Sequence, residues 1–132
     1  AFHILEKLGM DTNEIALIVS AIGNHDESSA YPVSIISSAL IIADKTDVRR
    51  SRVRKEILEF DIHNRVNYAA IKSRVVVDKD NKTLNLNLVI DTSICSIMEY
   101  FEIFLSRMKL CEKAASFFGL EFKLVINDHE LI

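Results

Sequence analysis

The sequence predicts an α+β protein in which a helical first half is followed by a small sheet covered by a long helix. Apolar residues recur at helical spacings of three and four through the first 70 residues. In TLNLNLVI and EFKLVI they alternate with polar residues, as they do in half-buried strands. The chain has 132 residues, of which 49% are hydrophobic, so it can bury one core. We expect residues 1–70 and 71–132 to pack together as one unit.

The first half is predicted to form successive helices. Asp11 followed by Glu14 is typical of a helix start, and Gly23 is typical of a helix end. Pro32 suits the first turn of the next helix, and a further helix is expected around Ile62 to Ile71. The buried stripes predicted for the helices after Asp11 and at Pro32 are Ile15, Ile18, Val19 and Ile22, and Val33, Ile36, Leu40 and Ala43.

The second half is predicted to run strand, strand, helix, strand. The turn-rich DKDNK predicts that Arg74 to Val77 pairs back on the following strand as a hairpin. Asp91 or Thr92 is expected to cap a long helix that ends at Gly119. The stripe predicted for that helix is Ile94, Met98, Phe101, Leu105, Met108, Ala115 and Phe118. The inward residues predicted for the strands are Leu84, Leu86, Leu88 and Ile90, and Phe122, Leu124 and Ile126.

Asp44 is the most informative polar residue. Helical spacing from the preceding apolar residues puts its carboxylate on or beside a buried face, where an ionised group needs a cation or hydrogen-bond donors. Asp47, one turn later, points to nearly the same side, so the two could hold a divalent ion or orient a ligating histidine. An ion pair of Asp44 with Lys45 or Arg49 accounts for the pattern equally well.

His25 follows a predicted helix end and precedes Asp26 and Glu27. Imidazole nitrogen and carboxylate oxygen are common ligands of Zn, Mn, Fe and Mg. A histidine in this loop could reach Asp44. By itself, however, the triplet is explained more simply by a solvated histidine in a turn.

A cluster of basic residues follows Asp44 within a few positions. Guanidinium groups bind phosphate through two parallel hydrogen bonds, so we assign Arg49 and Arg52, together with Lys45, to a substrate phosphate. A nucleic-acid surface is disfavoured because the cluster lacks interleaved aromatic residues and the net charge of the chain is -3. A solvated or salt-bridged face is the alternative. The cluster consists of Arg49, Arg50, Arg52, Arg54 and Lys55.

The stretches IGNHDESSAYPVSIISSALIIADKTDVRRSRVR, FDIHNRVNYA and IDTSICSIMEYFEIFLSRM resemble the C-terminal part of bacterial HD-domain metal-dependent phosphohydrolases. The resemblance implies an HD-like helical domain that binds a divalent metal (Mn, Mg, Fe or Zn). It implies that Asp44 and His25 are metal ligands and catalytic residues. From their positions in the chain, we assign Asp26 and Asp47 as residues that support these two. The first histidine and the His-Asp pair of the family pattern are not in this sequence and should precede residue 1. We therefore expect an incomplete fragment in which the metal is bound poorly or is absent.

The expected function of the parent protein is hydrolysis of a phosphomonoester or phosphodiester, with a phosphorylated small molecule or a nucleotide as partner and little activity from this chain alone. The alternative is a non-catalytic binding or oligomerisation module of a degenerate HD-like protein, which leaves a homodimer open. No apolar run reaches the roughly 18 residues of a membrane span, and two cysteines give no disulfide framework. We therefore expect a cytoplasmic protein that engages neither membrane nor nucleic acid.

Overall fold

The computed structural model describes residues 1–26, 30–53 and 62–132. Three residues named above, Glu27, Arg54 and Lys55, lie outside the described residues. Within them the chain combines helices with one mixed four-stranded sheet, which confirms the predicted α+β class. No helix in these ranges is both long and apolar enough to cross a membrane.

The described part of the first half contains α1 (Phe2–Lys7), α2 (Thr12–Gly23), α3 (Ile35–Thr46), a 3-10 turn (Arg50–Arg52) and α4 (Ile62–Ala69). The Asp11 carboxylate accepts a hydrogen bond from the Asn13 backbone N–H at 2.8 Å, which confirms the predicted start of α2. The position predicted for Pro32 is wrong. Helix α3 begins three residues later, because the Ser34 hydroxyl and the backbone N–H of Ser37 form its N-terminal cap.

The sheet is formed by β1 (Ala70–Asp78), β2 (Thr83–Ile90), β3 (Glu121–Ile126) and β4 (His129–Glu130), in that spatial order. β1 and β2 are antiparallel, with Val75 opposite Leu86, which confirms the predicted hairpin. β2 and β3 are parallel, and α5 (Ile97–Ser116) makes the crossover that parallel strands require. β4 pairs antiparallel with β3. This last strand has no signal in the sequence, since two residues are too few to show alternation.

The main core lies between the sheet and α5. From the helix, Tyr100, Phe104 and Met108 are buried in one cluster with the inward residues of the strands. The alternation predicted for β2 and β3 is confirmed, because every second residue is buried. The buried strand residues are Leu84, Leu86, Leu88 and Ile90, and Phe122, Leu124 and Ile126.

The start and the buried face of α5 differ from those predicted. Ser96 caps the helix, and the Asp91 carboxylate instead accepts hydrogen bonds from the backbone and hydroxyl of Ser93 in a separate turn. Met98 of the predicted stripe is 73% exposed. The fully buried members of that stripe are Met108 and Ala115.

The buried face of α3 is rotated from the predicted one. Val33 and Ile36 are exposed, whereas Ser37 and Ser38 are fully buried. Burial of these serines is tolerated because both hydroxyls donate to the Ser34 carbonyl oxygen, at 3.1 and 2.9 Å. Helix α3 packs against both α5 and α2. Other exposed members of the predicted stripes are Val19, Ile22, Ala43 and, in the stripe of α5, Phe118.

Candidate functional site

A cleft of about 270 Å³ opens where the C-terminal end of α3, the segment after it, α4 and α5 meet. Four of the described side chains around it are cationic and two are anionic, so this lining carries a net charge of plus two. A concave cationic surface of this kind attracts small anions such as phosphate. The described lining residues are Asp44, Lys45, Asp47, Arg49, Arg52, Val53, Asn64, Asn67 and Arg107.

Asp44 and Lys45 form an ion pair in this cleft. The Lys45 Nζ lies 2.7 Å from the Asp44 Oδ2, and the Lys45 side chain is 8% exposed against 38% for Asp44. Of the two positions expected for Asp44, on or beside the buried face, the structure shows the second, because the rotation of α3 puts Lys45 on the packed face. The hydrogen bond from Lys45 lowers the pKa of the Asp44 carboxyl, and the charges of His25 and Arg52 act in the same direction. Asp44 is thus an anion at neutral pH.

His25 follows the C-terminal end of α2, is half-buried and lies close enough to Asp44 to influence its charge. Its Nδ1 is 2.5 Å from the Ile22 carbonyl oxygen. Since a carbonyl oxygen only accepts, Nδ1 carries a proton in this contact, and Nε2 is the ring nitrogen left for another partner. The neighbouring Asp26 is exposed and does not line the cleft. Neither His25 nor Asp26 is among the described residues that line the cleft, and the link between His25 and Asp44 is the effect of the His25 charge on the pKa of the Asp44 carboxyl.

Asp47 holds the two arginines that were assigned to phosphate. It is the C-terminal cap residue of α3. Its Oδ1 lies 2.7 Å from Arg49 Nε, and its Oδ2 lies 3.2 Å from Arg52 Nη1. Arg52 Nη1 also donates to the Asp47 carbonyl oxygen at 3.1 Å. In the structure this carboxylate therefore positions two guanidinium groups, each of which is still more than half exposed.

Arg50 has a different environment from its two neighbours. Its Nε donates to the Tyr68 carbonyl oxygen at 2.7 Å, and its Nη2 donates to Asp91 Oδ2 at 3.1 Å. Its guanidinium carbon also lies 4.6 Å from the centroid of the Tyr68 ring. These contacts tie the 3-10 turn to α4 and to the end of β2, so Arg50 fixes the segment that carries Arg49 and Arg52.

The other side of the cleft comes from residues that the sequence reasoning missed. Asn64 and Asn67 lie one turn apart on α4 and share a face of that helix. Arg107 comes from α5, where its guanidinium carbon lies 4.4 Å from the Phe104 ring centroid. The one feature of the sequence that could have indicated these asparagines is their spacing of three residues in a polar helix. No feature of the sequence indicates Arg107 as a lining residue, because tertiary packing alone brings it to the cleft.

A divalent metal is implied by the resemblance, and the described residues fit it only in part. The Asp44 carboxylate and the His25 Nε2 are donors that suit Mn, Mg, Fe or Zn. Within the described ranges, no group of three His, Cys, Asp or Glu side chains is arranged to hold an ion. A catalytic zinc site typically has three protein ligands. These two donors therefore do not complete a metal site by themselves.

Comparison of the chain with protein-family models, with curated proteins and with solved structures gives no match. The resemblance to HD-domain phosphohydrolases therefore rests on the residues of the chain itself.

Proposed function

We propose that this chain carries the phosphate-binding cleft of an HD-type metal-dependent phosphohydrolase that acts on a phosphomonoester or phosphodiester. The observation that supports this proposal is the grouping of Lys45, Arg49 and Arg52 around Asp44 in one cleft. The described lining has a net charge of plus two. A phosphomonoester carries about -1.5 to -2 charges near neutral pH and therefore complements it.

The three basic residues contribute in different ways. The stem of Lys45 is buried and its Nζ is fixed by Asp44, so it acts as a point charge at one end of the cleft. Arg49 and Arg52 present planar guanidinium groups, which donate to two phosphate oxygens at once. Because Asp47 already orients both arginines, they lose less side-chain freedom when phosphate binds.

The α4 and α5 side of the cleft suits the remainder of the substrate. The Asn64 and Asn67 amides each offer donors and an acceptor, which match hydroxyl groups or the edge of a base. Arg107 adds a further cation on this side. This combination of groups fits a phosphorylated small molecule or a nucleotide.

Asp44 and His25 would bind the divalent ion together with at least one further ligand. When bound, such an ion supplies an activated water and neutralises the phosphoryl oxygens. Lys45 contributes by keeping Asp44 ionised, since its hydrogen bond lowers the pKa of that carboxyl. His25 contributes by holding its proton on Nδ1, which keeps Nε2 available as a ligand.

Phosphate binding by the intact chain is the first test. Isothermal titration calorimetry with inorganic phosphate would compare the wild type with Arg52→Gln. Loss of one charged hydrogen-bonding group costs about 1.5–3 kcal/mol, so we expect the Kd to rise by about tenfold or more. Lys109→Gln is the matched control, because Lys109 is exposed on α5 and does not line the cleft. An equal loss of phosphate affinity in Arg52→Gln and Lys109→Gln would contradict a specific phosphate site in the cleft.

Metal-dependent hydrolysis is the second test. Phosphate release from p-nitrophenyl phosphate and its bis ester would be measured with Mn²⁺ for the wild type and for Asp44→Ala. We expect little release from this chain alone, because Asp44 and His25 do not complete a metal site by themselves; what release there is should require the metal and be abolished by Asp44→Ala. Release that is independent of the metal or that survives Asp44→Ala would contradict the proposed mechanism. Absence of phosphate binding in the calorimetry would reject the proposed phosphate cleft.

A further inference from the structure

Strand β1 forms an exposed edge of the sheet. It lies at one end of the strand order and pairs with β2 alone among the described strands. Arg74, Val75, Val76 and Val77 are all exposed, and Val77 reaches 50%. A long apolar edge strand with unpaired N–H and C=O groups is a template for pairing with another strand. This edge can therefore pair with a strand of another chain.

An apolar groove of about 540 Å³ runs beside this edge. Val75 and Val77 of β1 form one wall, and Ile42 and Ala43 of α3 form the other. Phe118 and Leu120, after α5, close one end. Val75 and Val77 lie opposite Leu86 and Leu84 of β2, so the groove continues the face of the sheet that carries the core.

We propose that a second copy of this chain pairs with β1, strand against strand and antiparallel, with the two-fold axis at Val76. In this register Arg74 of one copy lies opposite Asp78 of the other, and this pair occurs twice. Val75 lies opposite Val77, also twice. The two sheets join into one continuous sheet of eight described strands. This homodimer is independent of the proposed hydrolytic function.

Charge and apolar pairing together favour this register. An axis at Val75 would also give an opposite-charge pair, Lys72 with Asp78, but it would place Val77 opposite Ser73 and Arg74 opposite Val76. Opposed residues of antiparallel strands share a face, so the Arg74–Asp78 pairs lie on the outer face and the valine pairs lie on the groove side. Asp78 is suited to this role, because hydrogen bonds from Asn81, at 3.0 and 2.8 Å, lower the pKa of its carboxyl and keep it ionised. Moving the axis to residue 74 would place two arginines opposite each other, which is unfavourable.

The apolar groove also favours a second copy of the chain as the partner of β1. In this register, Val77 of the second copy lies beside Val75, and its Val75 lies beside Val77. The partner strand therefore extends the apolar wall and covers side chains that are exposed in one copy. Both the charged face and the apolar face of the edge then meet a matching surface.

A charge-exchange experiment tests this dimer. Sedimentation equilibrium of the wild-type chain should give twice the mass of one chain. Arg74→Glu alone places two acidic residues opposite each other, and Asp78→Lys alone places two basic residues opposite each other. Each should raise the dissociation constant at least tenfold. An equimolar mixture of the two variants restores two opposite-charge pairs, so it should again give a dimer. Far-UV circular dichroism would check that each variant is folded.

A cross-linking experiment gives a second readout that does not depend on the charge variants. Val76→Cys places two thiols at the two-fold axis, where opposed Cα atoms are close enough for a disulfide. The native Cys95 and Cys111 are buried and should not compete. We expect Val76→Cys to form a covalent dimer on mild oxidation, and the exposed control Val19→Cys on α2 to form much less. A monomeric wild type, a dimer unaffected by both charge variants, or equal cross-linking of the control would overturn the proposal.

Discussion

Replacing Tyr100 with phenylalanine should stabilise this protein. Tyr100 is 1% exposed on the buried face of α5. Within the described residues its hydroxyl has no hydrogen-bond partner. Burial also raises the pKa of this hydroxyl well above its usual value. The oxygen has therefore been taken out of water without gaining a hydrogen-bond partner among residues 1–26, 30–53 and 62–132.

The expected size of the effect follows from these observations. An unpaired buried polar group costs about 1–3 kcal/mol. Tyr100→Phe removes only this oxygen and keeps the ring, whose centroid lies 4.8 Å from that of Phe104. The small void left behind offsets part of the gain. We expect the free energy of unfolding to rise by about 1 kcal/mol, which for a chain of this length raises the Tm by about 3–5 °C.

Urea unfolding followed by far-UV circular dichroism would measure the change. Tyr31→Phe is the matched control, because Tyr31 is exposed and its substitution should stay within about 0.5 kcal/mol of the wild type. A clear loss of stability in Tyr100→Phe would refute the reasoning, since it would mean that the hydroxyl makes a stabilising contact in solution.

Three further predictions concern the core and the cleft. Burial raises the pKa of the Cys111 thiol from its usual value of 9.0 to about 12, so its contribution to stability is intact well below pH 9 and falls at higher pH as the thiol of the unfolded chain ionises. Wild type should lose about 1.4 kcal/mol more than Cys111→Ala between pH 8 and pH 10 in urea titrations, and equal losses would contradict this. Leu86→Ala should cost about 2–5 kcal/mol, because Leu86 is fully buried in β2, whereas exposed Val89→Ala should cost far less in the same assay. Phosphate binding should weaken several-fold when NaCl rises from about 0.05 to about 0.5 M, because the cleft arginines are partly solvated; calorimetry that shows no salt dependence would argue against an ionic site.

The sheet was predictable from the sequence because its signal is local. Leu84, Leu86 and Leu88 alternate with polar residues, and only one face of a strand can bury such a pattern. The turn before Thr83 then determined which segment pairs back. The exposure of the β1 edge could not be inferred in the same way, because it depends on which strand lies at the end of the sheet.

The buried faces of the helices were harder to predict. In α3 apolar residues occur all round the helix, so periodicity does not select one face. The packed face contains Ser37 and Ser38, whose hydroxyls are satisfied by the backbone of their own helix. A rule that places apolar side chains inside and serines outside fails at this point. The same rotation decides between the two positions expected for Asp44, whose carboxylate lies beside the packed face and is not buried within it.

About half of the cleft could be predicted from the sequence. Lys45, Arg49 and Arg52 follow Asp44 closely in the chain, so their proximity in space was expected. Arg107 reaches the same cleft from the opposite half of the chain, and only the packing of α5 places it there. Contacts of this kind depend on the whole fold, and a one-dimensional pattern does not record them.

The contact of Asp47 with Arg49 and Arg52 has a consequence for turnover. A phosphate that enters the cleft competes with a carboxylate that already occupies part of each guanidinium group. The Asp47 carboxylate therefore limits the affinity of the cleft for any phosphate. This includes the inorganic phosphate that the proposed reaction releases. When the product leaves, Asp47 remains to satisfy both arginines. The cleft is thus suited to rapid product release and weak product inhibition.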